Sequence, residues 1–531
     1  MSAVNAQVRA VMITRADARR ARRSGRLVSA SVTACMEGQI REATEGSCPP
    51  VVTCRRLDAV ARSRGPRARI IWIASSVRRY PPLSLGMVLS MPFLTQLDSR
   101  AAIKGSRDPL GVQMIWTRLG RHVVANLTTV STSVRDFTVL LLGYYFAARV
   151  AEEGGSAGDL ATFLKWEQLA SYARASVNKE RGFRGTERVA RRLQDGERVR
   201  LSVDAGAQIL GNQKIYGLWG LYTVPAKASG LLEGDPTRLT GAARDVVERS
   251  LLSAMEQAGP KTVQGVVDRL RNSEYALDLH GARDAAVLKG VARTLGKLRE
   301  PERQLYREHL LFGGLGDHDP TRGTQGRQRL FAELLVDTRS SPDWALTPKT
   351  LRIIAARAAR RSEPAAQALA YRLERIVTAE LTLAPAVALF EHVLGCDGQP
   401  LSAIADGVRR HWGKGPSQTI DVAAFEALEP ELRLWGDDAG TGRRWVQIAA
   451  SLHDAQYEET LRLLLEQNAA VMKARSAAAP WADVREGKLH VRFRDEQATH
   501  LPDVVELPNY WRHAYFVESL RAVALSLSEG P

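Results

Sequence analysis

Cysteine is scarce in this chain of 531 residues. There are four, three of them (Cys35, Cys48, Cys54) within the first 86 residues and one, Cys396, in all the rest. That excludes a disulfide-stapled scaffold and suits a reducing compartment. No CxxC is present, and the ten histidines never fall at HExxH or HxH spacing, which argues against a structural zinc site. GxxxxGK[ST], a strand-linked GxGxxG and GxSxG are also missing, which removes the phosphate-loop, dinucleotide and serine-hydrolase readings. Long hydrophobic runs are lacking too. The greasiest stretch, "FTVLLLGYYFAARVA" at residues 137–151, falls short of the roughly 20 apolar residues that span a bilayer. It is predicted to be a buried helix. With no convincing signal peptide either, the expectation is a cytoplasmic protein without a membrane partner.

Charge is plentiful but uneven. The formal net charge is +16, and the first 86 residues hold 16 Arg, no Lys and five acids, so eleven of the sixteen positive charges lie there and five remain for residues 87–531. Two readings fit residues 1–90. They form an Arg-rich arm that clamps nucleic acid, or they are an extension upstream of a start at Met87 or Met91. On the second reading the high pI says little about partners.

From residue 91 the pattern is helical almost throughout, and the expected fold class is mainly α. "SVRDFTVLLLGYYFAARVAEE" offers Thr132 or Ser133 as N-cap, with Gly154 and Gly155 past its end. "DLATFLKWEQLASYARASVN" places Leu160, Phe163, Leu164, Trp166, Leu169, Tyr172 and Ala173 at helical spacing. A helix over "GTERVARRLQDG" and a short strand over "ERVRLSV" follow. The expected divisions are 91–252, a helical domain; 253–420, a second helical domain without a fixed repeat; and 421–531, a helical region with a hairpin turning at Glu486-Gly487-Lys488.

In "GNQKIYGLWGLYTVPAKASGLLEGDPTRLTGAARDVVERSLL" (residues 211–252), Tyr216, Trp219 and Tyr222 recur every three residues, which predicts one amphipathic helix ended or kinked by Pro225. Gly234-Asp235-Pro236 is turn chemistry between two short apolar segments, and Thr240 is placed to cap the next helix. Helix, small hairpin and capped helix, with two helices and a strand before them, resemble a winged-helix domain over residues 159–252. The plainer alternative is aromatics in the core and glycines at close helix contacts.

The resemblance implies contacts with double-stranded DNA. "NKERGFRGTERVARR" concentrates Lys179, Arg181, Arg184, Arg188, Arg191 and Arg192, and Arg184, Arg188 and Arg191 are predicted to share one helical face open to phosphates. Lys214, Lys227 and Arg238 extend that set. The competing reading is a solvated face paired to Glu180 and Glu187. "IIAARAARR" (residues 353–361) carries the same ambiguity. At the C-terminus, Trp511, Tyr515 and Phe516 are the candidate docking element for protein partners.

Chemistry is thinly represented. Asp317, His318 and Asp319 share a loop, and Asp483, Glu486 and Lys488 give an acidic-basic set in "DVREGK", but both fit loop and turn roles better than metal or nuclease sites. Cys396 with His392 fits a small buried thiol. No catalytic residue, cofactor or metal is assigned.

"DPLGVQMIWTRLGRHVVANLTTVS", "NQKIYGLWGLY" and "YFVESLRAV" are together similar to uncharacterised bacterial proteins of phage-defence and DNA-modification gene clusters. That resemblance implies a DNA-associating, non-catalytic subunit working with other proteins of the same cluster. The alternatives are a helical scaffold for partner proteins and, third, a nuclease with a spatially assembled site.

Overall fold

A computed structural model describes residues 108–528, apart from 156–157, 197, 315–325, 339–343, 435–439, 476–478 and 493–500. The Arg-rich segment, its three cysteines and the loop with Asp317, His318 and Asp319 therefore lie outside the described residues. The fold is mainly helical, with three small two-stranded antiparallel ladders.

The N-terminal half is built on α1 (Val112–Arg121), α2 (Val134–Glu152) and α3 (Asp159–Ser176). Helix α2 begins where Ser133 Oγ accepts the Asp136 N–H at 3.2 Å, and most of its residues are buried. Gly143 lets α3 close on it, since a Cβ there would stand 2.5 Å from the Phe163 ring. The indole N–H of Trp166 donates to the Val139 carbonyl across that contact at 2.8 Å. After α4 (Thr186–Asp195) comes strand β1 (Arg198–Leu201).

The stretch expected to be one helix is two, α5 (Gln213–Tyr216) and α6 (Leu218–Ala228). Pro225 sits within α6, and the break falls at Gly217. A buried carboxylate causes it. Glu167 Oε1 accepts the Leu218 N–H at 2.8 Å and Oε2 accepts Gln213 Nε2 at 2.8 Å, so a side chain on α3 caps α6. A Cβ at residue 217 would come within 2.7 Å of that carboxylate and 2.3 Å of the Gln213 carbonyl, so only glycine fits. Trp219 and Tyr222 consequently pack on α2, with ring centroids 5.0 Å from Tyr144 and 4.9 Å from Phe137. Tyr216, ahead of the break, is left 55% exposed.

The flap follows as β2 (Leu232–Glu233) and β3 (Arg238–Leu239), paired antiparallel. Thr240 stands at the N-terminus of the next helical segment (residues 241–256), but its hydroxyl donates back to the Gly230 carbonyl at 3.0 Å instead of capping. This segment, α7, runs across the expected 252/253 boundary. Then come α8 (Thr262–Arg271), β4 (Tyr275–Asp278) and α9 (Ala282–Gly296). Strand β4 pairs with β1, Val199 opposite Leu277. In the winged-helix order β1 would join the flap; here it is bonded to a strand more than seventy residues on.

The second half continues with α10 (Glu300–Tyr306), α11 (Arg327–Asp337), α12 (Pro348–Ala359) and α13 (Pro364–Leu394). Helix α13 is long and apolar enough by composition to cross a bilayer, but 78% of its apolar window is buried against neighbours, including α12 and α1. After α14 (Leu401–Trp412) come α15 (Val422–Glu426), α16 (Glu429–Leu432), α17 (Thr441–His453) and α18 (Tyr457–Ala474). The hairpin of β5 (Ala482–Arg485) and β6 (Lys488–Val491) turns at Glu486-Gly487, both at positive φ. Helix α19 (Val517–Ser528) docks back on the N-terminal half, where Ser519 Oγ donates to the Thr128 carbonyl at 2.7 Å.

Candidate functional site

Most of the basic side chains predicted to face phosphates are engaged by the protein itself. The loop between β1 and α5 returns over α4, and its irregular backbone presents carbonyls that need donors. Arg188 Nη1 donates to the carbonyls of Gln208 (3.0 Å) and Leu210 (2.8 Å). Arg192 donates to Ala207 O (2.7 Å), Gln208 O (2.9 Å) and the Tyr172 hydroxyl (3.0 Å). Arg184 turns inward as well, 3.4 Å from the Val130 carbonyl and 6.0 Å from the Tyr222 ring centre. The shared outward face of Arg184, Arg188 and Arg191 is thus reduced to Arg191. Arg238 pairs with Asp159 at 3.0 Å, and Lys227 Nζ donates to the Gly234 carbonyl at 3.0 Å, holding the flap. Lys179, Arg181, Arg191 and Lys214 are exposed.

The expected docking aromatics are corrected more sharply. Tyr515 and Phe516 are 0% and 4% exposed, and Trp511 is partly buried. The cause is Glu380, wholly buried on α13, whose carboxylate accepts the N–H of His513 (3.0 Å), His513 Nδ1 (2.8 Å) and the Tyr515 hydroxyl (2.8 Å). Burial beside this carboxylate pushes the Tyr515 phenol well above its ordinary range. Tyr515 and Phe516 both adopt left-handed backbone, φ 42° and 62°. That strain, on the order of 1 kcal/mol or more per residue, persists only where surrounding contacts impose it.

The Phe516 ring lies under the Arg121 guanidinium at 3.8 Å, and Arg121 leads to a site the sequence did not announce. Between α1, α13 and residues 427–431 lies a cleft of about 590 Å³, lined by Arg118, Arg121, His122, Tyr371, Arg372, Arg375 and Glu431 among others. Arg118 and Arg121 are one turn apart on α1; Tyr371, Arg372 and Arg375 share the first half of α13. Four arginines face one carboxylate. Arg375 pairs with Glu431 and donates to the Tyr371 hydroxyl at 3.1 Å, while its Nε is buried with no hydrogen-bond partner. Arg118 Nη1 donates to the Glu431 carbonyl at 2.8 Å. Arg121 donates to the carbonyls of Val124 (3.3 Å) and Ala125 (3.2 Å) beyond the end of α1.

Burial lowers the affinity of Arg118 and Arg121 for their protons, with Glu431 opposing the effect at Arg118. Arginine stays charged regardless, so the cleft concentrates positive charge that a negatively charged ligand would stabilise. A smaller hollow of about 290 Å³, reaching Arg475, shares Thr117 and Arg118 with it, so the basic surface continues along α1.

Elsewhere, Asp483 is held by Arg492 at 2.7 Å, and Glu486 and Lys488 stand exposed about the hairpin turn. Cys396 is buried with its Sγ 3.4 Å from the His392 carbonyl, and burial pushes the thiol up. Among the described residues no group of three or more His, Cys, Asp or Glu could hold a metal ion.

No family model, curated protein or solved structure matches this chain. The cleft is thus the feature from which function has to be argued.

Proposed function

We propose that the protein is a non-catalytic DNA-associating subunit of a bacterial multi-protein system, with antiphage defence as the setting. The observation that carries this reading is the cleft on α1 and α13, where four arginines are gathered against one glutamate. Guanidinium groups bind phosphate through a planar fork, and a partly desolvated set does so more strongly than a solvated one. The exposed Lys179, Arg181, Arg191 and Lys214 add a second, looser cationic surface. Helix α6 with its flap is the winged-type element of the reading and supplies contacts from Lys227 and Arg238.

The test is titration of the full chain with a labelled duplex at several salt concentrations. Affinity is expected to fall steeply between about 50 and 200 mM salt, and reversing Arg118 and Arg372 to Glu is expected to flatten that dependence by about 0.9 in log–log slope per lost phosphate contact. Binding absent at low salt overturns the reading.

A helical scaffold for partner proteins is favoured by one observation: Ile215, Tyr216 and Val224 all stand exposed around the α5–α6 break. Co-purification with neighbouring gene products that is lost on changing Ile215 and Tyr216 to Ser would support it.

A further inference from the structure

We infer that the cleft between α1 and α13 receives an unpaired nucleotide of single-stranded DNA, its base stacked on Tyr371 and its phosphate held by Arg118 and Arg372. The inference rests on the nucleic-acid reading above and specifies the form of DNA that this site takes.

Shape comes first. A cavity of about 590 Å³ falls in the range that encloses a ligand of nucleotide size, roughly 300–1,000 Å³. It is bounded by two helices. A duplex is a rigid rod whose bases are covered by their partners, so it could touch the rim arginines with phosphate but could not seat a base inside. A flexible single strand can turn one nucleotide inward.

Tyr371 supplies the second argument. It is an aromatic left 47% exposed in a cleft wall, in a chain that buries most of its large rings. Its position is fixed: the Arg375 guanidinium donates to its hydroxyl at 3.1 Å and lies 5.4 Å from its ring centre, and Arg372 lies 5.7 Å from the same centre. An aromatic ring flanked by guanidinium planes is the surface on which unpaired bases stack, and such stacking is tolerant of sequence because every base has a π-face.

Charge gives the third. The carboxylate of Glu431 is taken by Arg375. Arg118, Arg121 and Arg372 then face the cleft with no second carboxylate among its lining residues. This arrangement suits a phosphate beside the stacked base.

The experiment compares affinities of the full chain for a labelled oligothymidylate and for a duplex of equal length at one salt concentration, in the native chain, Tyr371→Ala and Tyr371→Phe. The ratio of the two affinities is read, so the Arg-rich N-terminal segment, present in all three proteins, enters each alike. The native chain should prefer the single strand. Tyr371→Ala should lose single-strand affinity on the order of tenfold, the scale of one stacked base, with duplex affinity unchanged, and Tyr371→Phe should retain most of the preference because the ring remains. Equal loss on both DNAs, or no loss in Tyr371→Ala, overturns the inference while leaving duplex association standing. If neither DNA binds the native chain, the proposed function fails with it.

Discussion

Two sets of arginines have opposite fates in this molecule. On α4, Arg188 and Arg192 meet a loop that folds back over them, and their guanidiniums become its hydrogen-bond donors. On α1 and α13, Arg118, Arg121 and Arg372 also lie at helical spacing, but no loop closes over them and a cleft remains. A basic helical face is therefore no evidence of a polyanion partner until it is known what the rest of the chain lays over it. Arginine is suited to both tasks because its donors satisfy backbone carbonyls as readily as phosphate oxygens.

The comparison can be broken in several ways, and the largest effect lies beneath the cleft. Glu380→Ala would leave His513, the Tyr515 hydroxyl and backbone N–H groups buried without their acceptor. Removing such a group costs on the order of 3 kcal/mol, measurable by urea unfolding. Because Phe516 supports Arg121, nucleic-acid affinity should fall in the same variant even where it remains folded. Unchanged affinity in a folded Glu380→Ala chain would separate the C-terminal segment from the cleft.

Next in size are the loop-holding arginines. Arg188→Ala and Arg192→Ala are each expected to lower stability by about 1–2 kcal/mol and to leave DNA affinity nearly unchanged. Arg118→Ala and Arg372→Ala should show the reverse pattern, weaker binding with a small change in melting temperature.

The smallest effect is a pH dependence at the α5–α6 break. Burial pushes the Glu167 carboxyl up to about 7 from an ordinary value of 4.5. The folded chain thus keeps this proton in a window where the unfolded chain has released it. Stability contributed by the protonated carboxyl is fully present below about pH 4.5 and is lost as pH rises through about 7. Glu167→Gln should flatten that slope in unfolding measured between those limits, and an unchanged slope would place the titration elsewhere.

Local chemistry was legible in the sequence wherever local chemistry decides structure. Ser133 starts α2, Asp195-Gly196 ends α4, Gly234-Asp235-Pro236 turns the flap and Glu486-Gly487 turns the last hairpin. The misreadings arise where a distant residue intervenes. Tyr216, Trp219 and Tyr222 looked like one face because nothing near them reveals that Glu167, fifty residues earlier, caps a new helix at Leu218. Tyr515 and Phe516 looked exposed because Glu380 lies more than 130 residues away. The cleft joins residues 118–122 to 371–375, and neither "TRLGRH" nor "YRLER" carries a recognisable motif alone. Arginine and tyrosine one turn apart on α13 were the available signal, and such pairs are common on solvated helices.

The most direct measurement sets the two groups side by side: the salt dependence of DNA binding by the full chain carrying Arg118→Ala with Arg372→Ala, against the chain carrying Arg188→Ala with Arg192→Ala. The account predicts a shallower log–log slope for the first pair, by about 0.9 for each phosphate contact removed, and a native slope for the second. Equal slopes in the two variants, or a loss confined to the second, would contradict it.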